Sequence, residues 1–515
     1  MAILRNNRRN QIKVFLFGEE LGTLTWNEDR KVSYFFFSDG YFRQPFDLCP
    51  LTNPKNDPAT RFAIYGPEPR DPDPLKKIYQ SLPPFLADSL PDKWGNAVFD
   101  EWFQKKGFPD SSKNPITKFS FIGNRGMGAL EFKPMLEKGF YDDKTVDLSE
   151  LYMESLRIEE KINGTKVEPG PGMSIENIAA LGTSPGGSRK KAIISIAPDG
   201  SYHSGKTMSP PGWRNCIIKF NTPRYSLSET EMVYHRLATD ASIKMMKSEL
   251  ISIEGIQHFL TDRFDRKEGK KVLMQTLAAI NPEARNYEDL FRTCRRLGAN
   301  ERELDLLFRQ TAFNFLMNNT DDHIKNFSFL LGADNQWHPS PAYDLTFIIS
   351  ENGIEPERLH SMSLNGKFTG IEERDLLEFA EKNGIKNARG IIETIRKASL
   401  NFENYAQEYR MAPDIKELIA KTLDDLGRPR TAEVKKKTSV INGKKVTDIR
   451  FEKTTKGNIH VYATIDKSER RIVVTPKKPL HQYILQNGFN SMEMDKKEKI
   501  IKEHMLKGIS QNNKI

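Results

Sequence analysis

Cysteine is scarce in this chain: Cys49, Cys216 and Cys294 are three in number, far apart and unpaired by count. That argues against a disulfide framework and suits a reducing cytoplasm. No Cys/His cluster has zinc-ligand spacing, so a structural metal is not expected. Long apolar runs are missing too. No stretch reaches the roughly 20 residues of a membrane span. Arg5, Arg8 and Arg9 are followed by no apolar leader core, so neither a membrane partner nor a secreted location is expected. The His-Arg-Asp and Asp-Phe-Gly strings of eukaryotic protein kinases are absent as well.

Against those absences stands Asn318-Asn319-Thr320-Asp321-Asp322-His323-Ile324-Lys325-Asn326, followed by Tyr343-Asp344-Leu345. One carboxylate precedes an amide by five residues, and a second carboxylate comes after a short hairpin. In-line phosphoryl transfer needs such a set: a carboxylate to accept from a hydroxyl, and an Asn and an Asp to hold magnesium. Leu304, Leu307, Phe308, Ala312, Phe315 and Leu316 recur at helical spacing, so a buried helix runs into the motif. Asn318 and Asn319 stop it. Phe327–Leu331 reads as a strand, Ala333–Gln336 as a turn, and Trp337–Tyr343 as a return strand carrying Asp344. The competing reading is a helix stop whose Asn and Asp side chains satisfy local backbone groups.

Upstream lies Leu181-Gly182-Thr183-Ser184-Pro185-Gly186-Gly187-Ser188-Arg189-Lys190-Lys191, then the apolar run Ala192–Ala197. Glycines let backbone N–H groups approach phosphates, and a strand follows the loop, as in the kinase version of such loops. Asn215–Phe220 is a short apolar strand with one lysine, Lys219, and Ser226–Ala238 reads as a helix offering Glu231 as its partner. Two plainer readings compete: Ser228 and Glu231 have capping-box spacing, and a strand lysine commonly extends its ammonium into water. The set nevertheless occurs in the order a bilobal kinase requires.

The chain resembles the HipA-type serine/threonine kinases of bacterial toxin–antitoxin systems from about Gln11 to Gly427. The resemblance rests on Ser184–Lys191, Phe259–Arg266, Asn319–Asn326 and Pro341–Leu345. In the first third it rests on Gly22-Thr23-Leu24, Leu82–Asp92 and Arg125–Leu130. It implies an α+β, bilobal protein-kinase-like fold with a HipA-type N-terminal subdomain. By resemblance, Asp321 is the base, Asn326 and Asp344 hold Mg2+, and Lys219 contacts the α- and β-phosphates of ATP. Gly186, Gly187, Ser188, Arg189, Lys190 and Lys191 cover the triphosphate, with His323 and Lys325 near its end. The hinge Asp262, Arg263 and Phe264 holds the adenine by its backbone, with Tyr343 also at the nucleotide. Ser184 matches a regulatory autophosphorylation serine. A HipB-like helix-turn-helix antitoxin, operator DNA through it, and a protein substrate in translation are the implied partners.

Charge is uneven. Arg430–Ile515 carries 20 Lys and Arg against 9 Asp and Glu; from chain totals of 78 and 69, this leaves 58 basic against 60 acidic residues upstream. The expected divisions are 1–134 (first subdomain), 173–265 (N-lobe), 266–428 (C-lobe) and 430–515 (basic extension). Ile12–Phe17 and Val32–Phe37 read as strands flanking a turn. In the tail, Val446–Phe451, Ile459–Ile465 and Arg471–Thr475 are β-type runs, and Met494–Leu506 marks a short helix. A basic tail suits contact with nucleic acid or an acidic surface, but few aromatics are available for base stacking, which favours a merely solvated face. Two other functions stay open: a small-molecule phosphotransferase of related fold, and a silent homologue that binds antitoxin or DNA. Intact Lys219, Asp321, Asn326 and Asp344 argue against silence.

Overall fold

This computed structural model describes residues 10–67, 74–136, 145–162, 178–179, 189–204, 209–349, 356 and 359–427. It also describes the backbone of four strands within 439–474. The chain forms two compact units, Met1–Pro429 and Arg430–Ile515.

The first unit opens with β1 (Gln11–Leu16), β2 (Glu19–Asn27), β3 (Val32–Phe37), β4 (Ile64–Tyr65) and β5 (Leu130–Lys133). Their order in the sheet is β4-β3-β2-β1-β5, all antiparallel. Period-two alternation buries Ile12, Val14 and Leu16 of β1 while Gln11 and Lys13 face outward. The segment expected to be a turn between two strands is itself the strand β2. Its Leu24 is fully buried, and Gly22 lies so close to Phe36 O that a Cβ there would stand 2.2 Å away. Helix Lys93–Lys105 begins at Asp92, whose side chain accepts from Gly95 N–H.

A second antiparallel sheet contains β6 (Lys191–Ile196), β7 (Tyr202–Ser204), β8 (Arg214–Lys219), β9 (Ser248–Ile253) and β10 (Ile256–Asp262), in the order β7-β6-β8-β10-β9. Helix Leu227–Asp240 packs on it, and β8 is the central strand. The two-residue strands β11 (Arg266–Lys267) and β12 (Lys270–Lys271) pair beyond it. A helical lobe follows, with β13 (Met274–Thr276), β14 (Ser328–Leu331) and β15 (Trp337–Pro339) forming a small sheet at its entrance. Helix Glu301–Leu316 starts with an Asn300/Glu303 capping box and ends where Asn318 turns left-handed at φ +52°. The return strand is shorter than expected: β15 stops at Pro339, and Asp344 sits in irregular backbone.

Two apolar cores tie the first subdomain to both lobes. One runs from Ile12, Val14 and Phe35 to Phe308 and Phe313 of the helical lobe. The other joins Trp102 and Phe103 to Ile194 and Ile218 of the second sheet. The protein is thus a bilobal, protein-kinase-like α+β fold with an N-terminal subdomain braced against both lobes.

By itself, the second unit is a four-stranded antiparallel sheet of β16 (Ser439–Ile441), β17 (Lys444–Lys453), β18 (Ile459–Ile465) and β19 (Ser468–Val474). The third strand of the sequence reading starts earlier, at Ser468, and the expected helix over 494–506 lies outside the described residues. Among the described residues no helix is long and apolar enough to cross a membrane.

Candidate active site

Lys219 ends the central strand β8, so its side chain points into the interior; its side chain is only 13 % exposed. Its Nζ lies 2.5 Å from Glu231 Oε1 and is also bonded to Asp344 Oδ1. Glu231 uses its other oxygen to accept from Arg189 Nη1 at 3.1 Å. The capping-box reading of Glu231 is overturned: the helix N-cap is Ser226, two residues before Ser228, and it has a left-handed backbone with no side-chain cap. Desolvation pulls the Lys219 ammonium down, but Asp344 and Glu231 outweigh it and the net shift is upward. Burial likewise raises Asp344, yet Lys219 first, then Lys191 and Arg189, bring it down to about 2. Each is therefore held charged by the other.

Asp344 adopts φ +53°, uncommon for a residue with a side chain, and such backbone strain clusters at ligand sites. The loop before it is fixed from inside: Asn326 Nδ2 donates to Asp321 O at 2.6 Å. That leaves Asn326 Oδ1 buried and without a hydrogen-bond partner. A neutral oxygen with no donor, on the residue expected to hold magnesium, fits a hard cation. Asp321 is half-buried, with His323 Nε2 3.5 Å from its Oδ1. Desolvation raises its pKa, opposed by His323 and reinforced by Asp344.

A cavity lies between the lobes, lined by Lys191, Lys219, Glu231, Asp262, Phe264, Lys325, Tyr343 and Asp344 among others. Its apolar wall includes Ile217, Phe259 and Leu345. Tyr343 OH donates to Lys325 O at 2.7 Å and accepts from Ser328 Oγ at 2.6 Å, and its ring packs 5.5 Å from Phe264. Of the other predicted residues, Asp262 and Arg263 line the cavity and Lys190 does not. Lys190 is buried with its ammonium 2.6 Å from Glu159, away from the cavity. Asp262 accepts from Arg214 Nη2 at 2.7 Å. Arg263 reaches the wall, but its guanidinium is committed to Asp265 through bonds of 2.8 and 2.7 Å. Ser184, Gly186, Gly187 and Ser188 lie outside the described residues.

Three contributors went unrecognised in the sequence. Asp92 pairs with Lys191 at 2.7 Å, and Met127 of the first subdomain lines the cavity. Asp265, with no exposed side-chain surface, binds Arg263, Arg266 and Gly128 N–H at once. The doublet of Asp265 and Arg266 beside the hinge was the available signal for the last. The sequence also holds Gly200-x4-Gly205-Lys206-Thr207, a phosphate-loop spacing. Its Tyr202–Ser204 is strand β7, the return arm of a hairpin from β6, not the strand-to-helix turn the pattern needs.

Lysine, helix glutamate and distal aspartate at an interlobe cavity, with a carboxylate and an amide on the loop that precedes the aspartate, form a kinase-like arrangement. Two family models match the chain: HipA N-terminal domain over residues 12–133 and HipA-like C-terminal domain over residues 183–402. The chain belongs to the HipA family. It is similar to a solved HipA of the Shewanella oneidensis MR-1 toxin–antitoxin system, in complex with HipB and its operator DNA. That likeness has 16 % identity and a TM-score of 0.54, over 81 % of this chain and 95 % of that one. The Helicobacter pylori proinflammatory kinase CtkA overlaps 41 % of this chain and 86 % of its own, at 12 % identity and a TM-score of 0.31, too slight a likeness to argue from.

Proposed function

We propose that this chain is an ATP- and Mg2+-dependent serine/threonine protein kinase, the toxin of a toxin–antitoxin pair. The observation that carries the reading is Lys219 held between Glu231 and Asp344 at the wall of the interlobe cavity. Lys219 would release Asp344 to a metal and take phosphate oxygens instead, keeping Glu231 as its orienting partner. Asn326 and Asp344 would hold the magnesium, which when bound neutralises charge on the phosphates during transfer. Asp321 orients the attacking hydroxyl and accepts its proton; a pKa raised by burial makes it a better acceptor. His323 beside it limits that rise, so transfer should increase with pH as Asp321 ionises. Phe264, Tyr343 and the apolar wall suit a purine, and Lys325 the terminal phosphate.

The family and the HipB–operator complex of the Shewanella relative support a HipB-like antitoxin and, through it, operator DNA as partners. A component of translation as substrate, and inactivation by autophosphorylation at Ser184, complete the proposal. A phosphoserine there would add about two negative charges beside the triphosphate site and compete with ATP. The test is intact-mass and peptide mass spectrometry after incubation with Mg-ATP, comparing wild type with Asp321→Gln. Phosphate on Ser184 in the wild type alone is expected. ATP binding without any protein phosphorylation would instead favour a small-molecule phosphotransferase, and no ATP binding would favour a silent binding protein.

A further inference from the structure

Asp321 and Asp322 are adjacent and look interchangeable in the sequence, yet the fold sends them opposite ways. The Asp321 side chain is 41 % exposed at the cleft; that of Asp322 has no exposed surface. A buried carboxylate is stable only when donors surround it. Asp322 has three: Tyr287 OH at 2.7 Å, His360 Nδ1 at 2.8 Å and Ser361 N–H at 2.8 Å. Because a carboxylate only accepts, His360 must carry its proton on Nδ1. Its ring is held against Phe315 with 4.3 Å between centroids.

The donors continue backward through the loop. Tyr287 OH accepts from Asn314 Nδ2 at 3.0 Å, and Asn314 Oδ1 accepts from Asn319 Nδ2 at 2.9 Å. Thr320 O receives Ser361 Oγ at 3.0 Å. Residues 319, 320 and 322 are thus anchored from behind, and Asp321 alone among the four faces the cleft. Asn326 is then tied to Asp321 through its carbonyl. The anchors are Tyr287, Asn314 and the pair His360–Ser361, none of which lines the cavity.

We propose that Asp322 is a positioning residue: with His360 and Tyr287 as its donors, it fixes the loop that presents Asp321 and Asn326. This inference rests on the phosphotransferase reading and deepens it. Misplacing a reacting group by about 1 Å can lower turnover about 10²-fold. His360→Leu, which deletes the donor but keeps bulk, should therefore lower turnover at saturating Mg-ATP by about that factor. It should also reduce the gain in ATP affinity that Mg2+ gives over EDTA, a binding measurement independent of turnover. His360→Asn, whose amide can replace the Nδ1–H donor, should recover most of both, and Tyr287→Phe should fall between.

Wild-type turnover and an undiminished Mg2+ gain in His360→Leu would overturn the inference. So would equal losses in the Leu and Asn variants that track a fall in melting temperature, since a purely structural role predicts those. A wild type that neither binds nor uses Mg-ATP would bring down the phosphotransferase reading itself, and this inference with it.

Discussion

Arg263, Asp265 and Arg266 form one buried group of acids and bases; Lys219, Glu231 and Asp344 form another, and Arg263 and the second trio reach the same cavity. The first is sealed: its side chains are 1, 0 and 2 % exposed, and leftover guanidinium donors go to Gly126 O and Gly128 O. The second is 13, 4 and 23 % exposed, and all three of its side chains line the cavity. Burial has therefore been used in two ways. Around Asp265 both carboxylate oxygens and most guanidinium donors find partners within the chain, Arg266 Nε being the exception, and these bonds lock the first subdomain to the hinge. Around Lys219 the charges are held ready, paired with one another until something better matched enters. Counting ion pairs would rate the two alike; their exposure to the cavity separates them.

The contrast is tested most severely by Asp265→Ala. It strands two buried arginines and should destabilise the first unit by about 3–5 kcal/mol in a denaturant titration. If the loss were no greater than for a change in the open cluster, the distinction would collapse. That comparison variant is Lys219→Met. It removes the central cation of the open cluster but leaves Arg189 and Lys191 near the two carboxylates, so its stability loss should be the smaller. Its phosphoryl transfer, measured with saturating ATP, should fall by about 10²–10³-fold, as for loss of one preorganised electrostatic group.

Acid should separate them again. Asp344 is depressed to about 2 in the folded chain, against about 3.9 for an unfolded aspartate. A depressed carboxylate contributes stability above its unfolded pKa and loses it as pH falls through the folded value, here from about pH 4 to about pH 2. Wild type should therefore exceed Asp344→Asn in stability by about 2–3 kcal/mol at neutral pH. The gap should close across that window; a gap constant down to pH 2 would mean that Lys219 contributes little to holding Asp344 charged. Asp265 is depressed further still, so the sealed cluster should survive to lower pH than the open one.

These differences also explain what the sequence disclosed. Asp321, Asn326 and Asp344 were legible because phosphoryl transfer fixes residue types and their order, and the helix Glu301–Leu316 because its apolar spacing is strong. Lys219 and Glu231 were legible as candidates, but whether Glu231 paired or capped depended on where the helix starts, which turned on the left-handed Ser226. Asp322 was hidden by its neighbour: nothing in an Asp-Asp doublet tells which carboxylate is buried. Lys190 and Lys191 are likewise adjacent, and strand alternation sends one ammonium to Glu159 and the other to Asp92. Contacts across more than 100 residues, such as Gly128 N–H to Asp265, leave no local pattern at all.

The smallest expected effect sits on the seam between the two clusters. Gly128 has φ +71°, and a Cβ there would stand 3.2 Å from Met274 Cγ and 3.3 Å from Met274 O. An alanine must adopt a left-handed backbone that costs about 1–2 kcal/mol, and it must also push on Met274, whose backbone cannot yield as a side-chain tip can. Met127 and Met274 both line the cavity, so the displacement reaches the cavity wall without touching a charged residue. Gly128→Ala should accordingly lower unfolding free energy by about that amount and weaken ATP binding in calorimetry, while the pH dependence of transfer stays that of wild type. If affinity were untouched despite the lost stability, the sealed cluster would be a brace for the fold alone. If the pH dependence moved as well, the two clusters would be coupled electrostatically rather than through the position of the hinge.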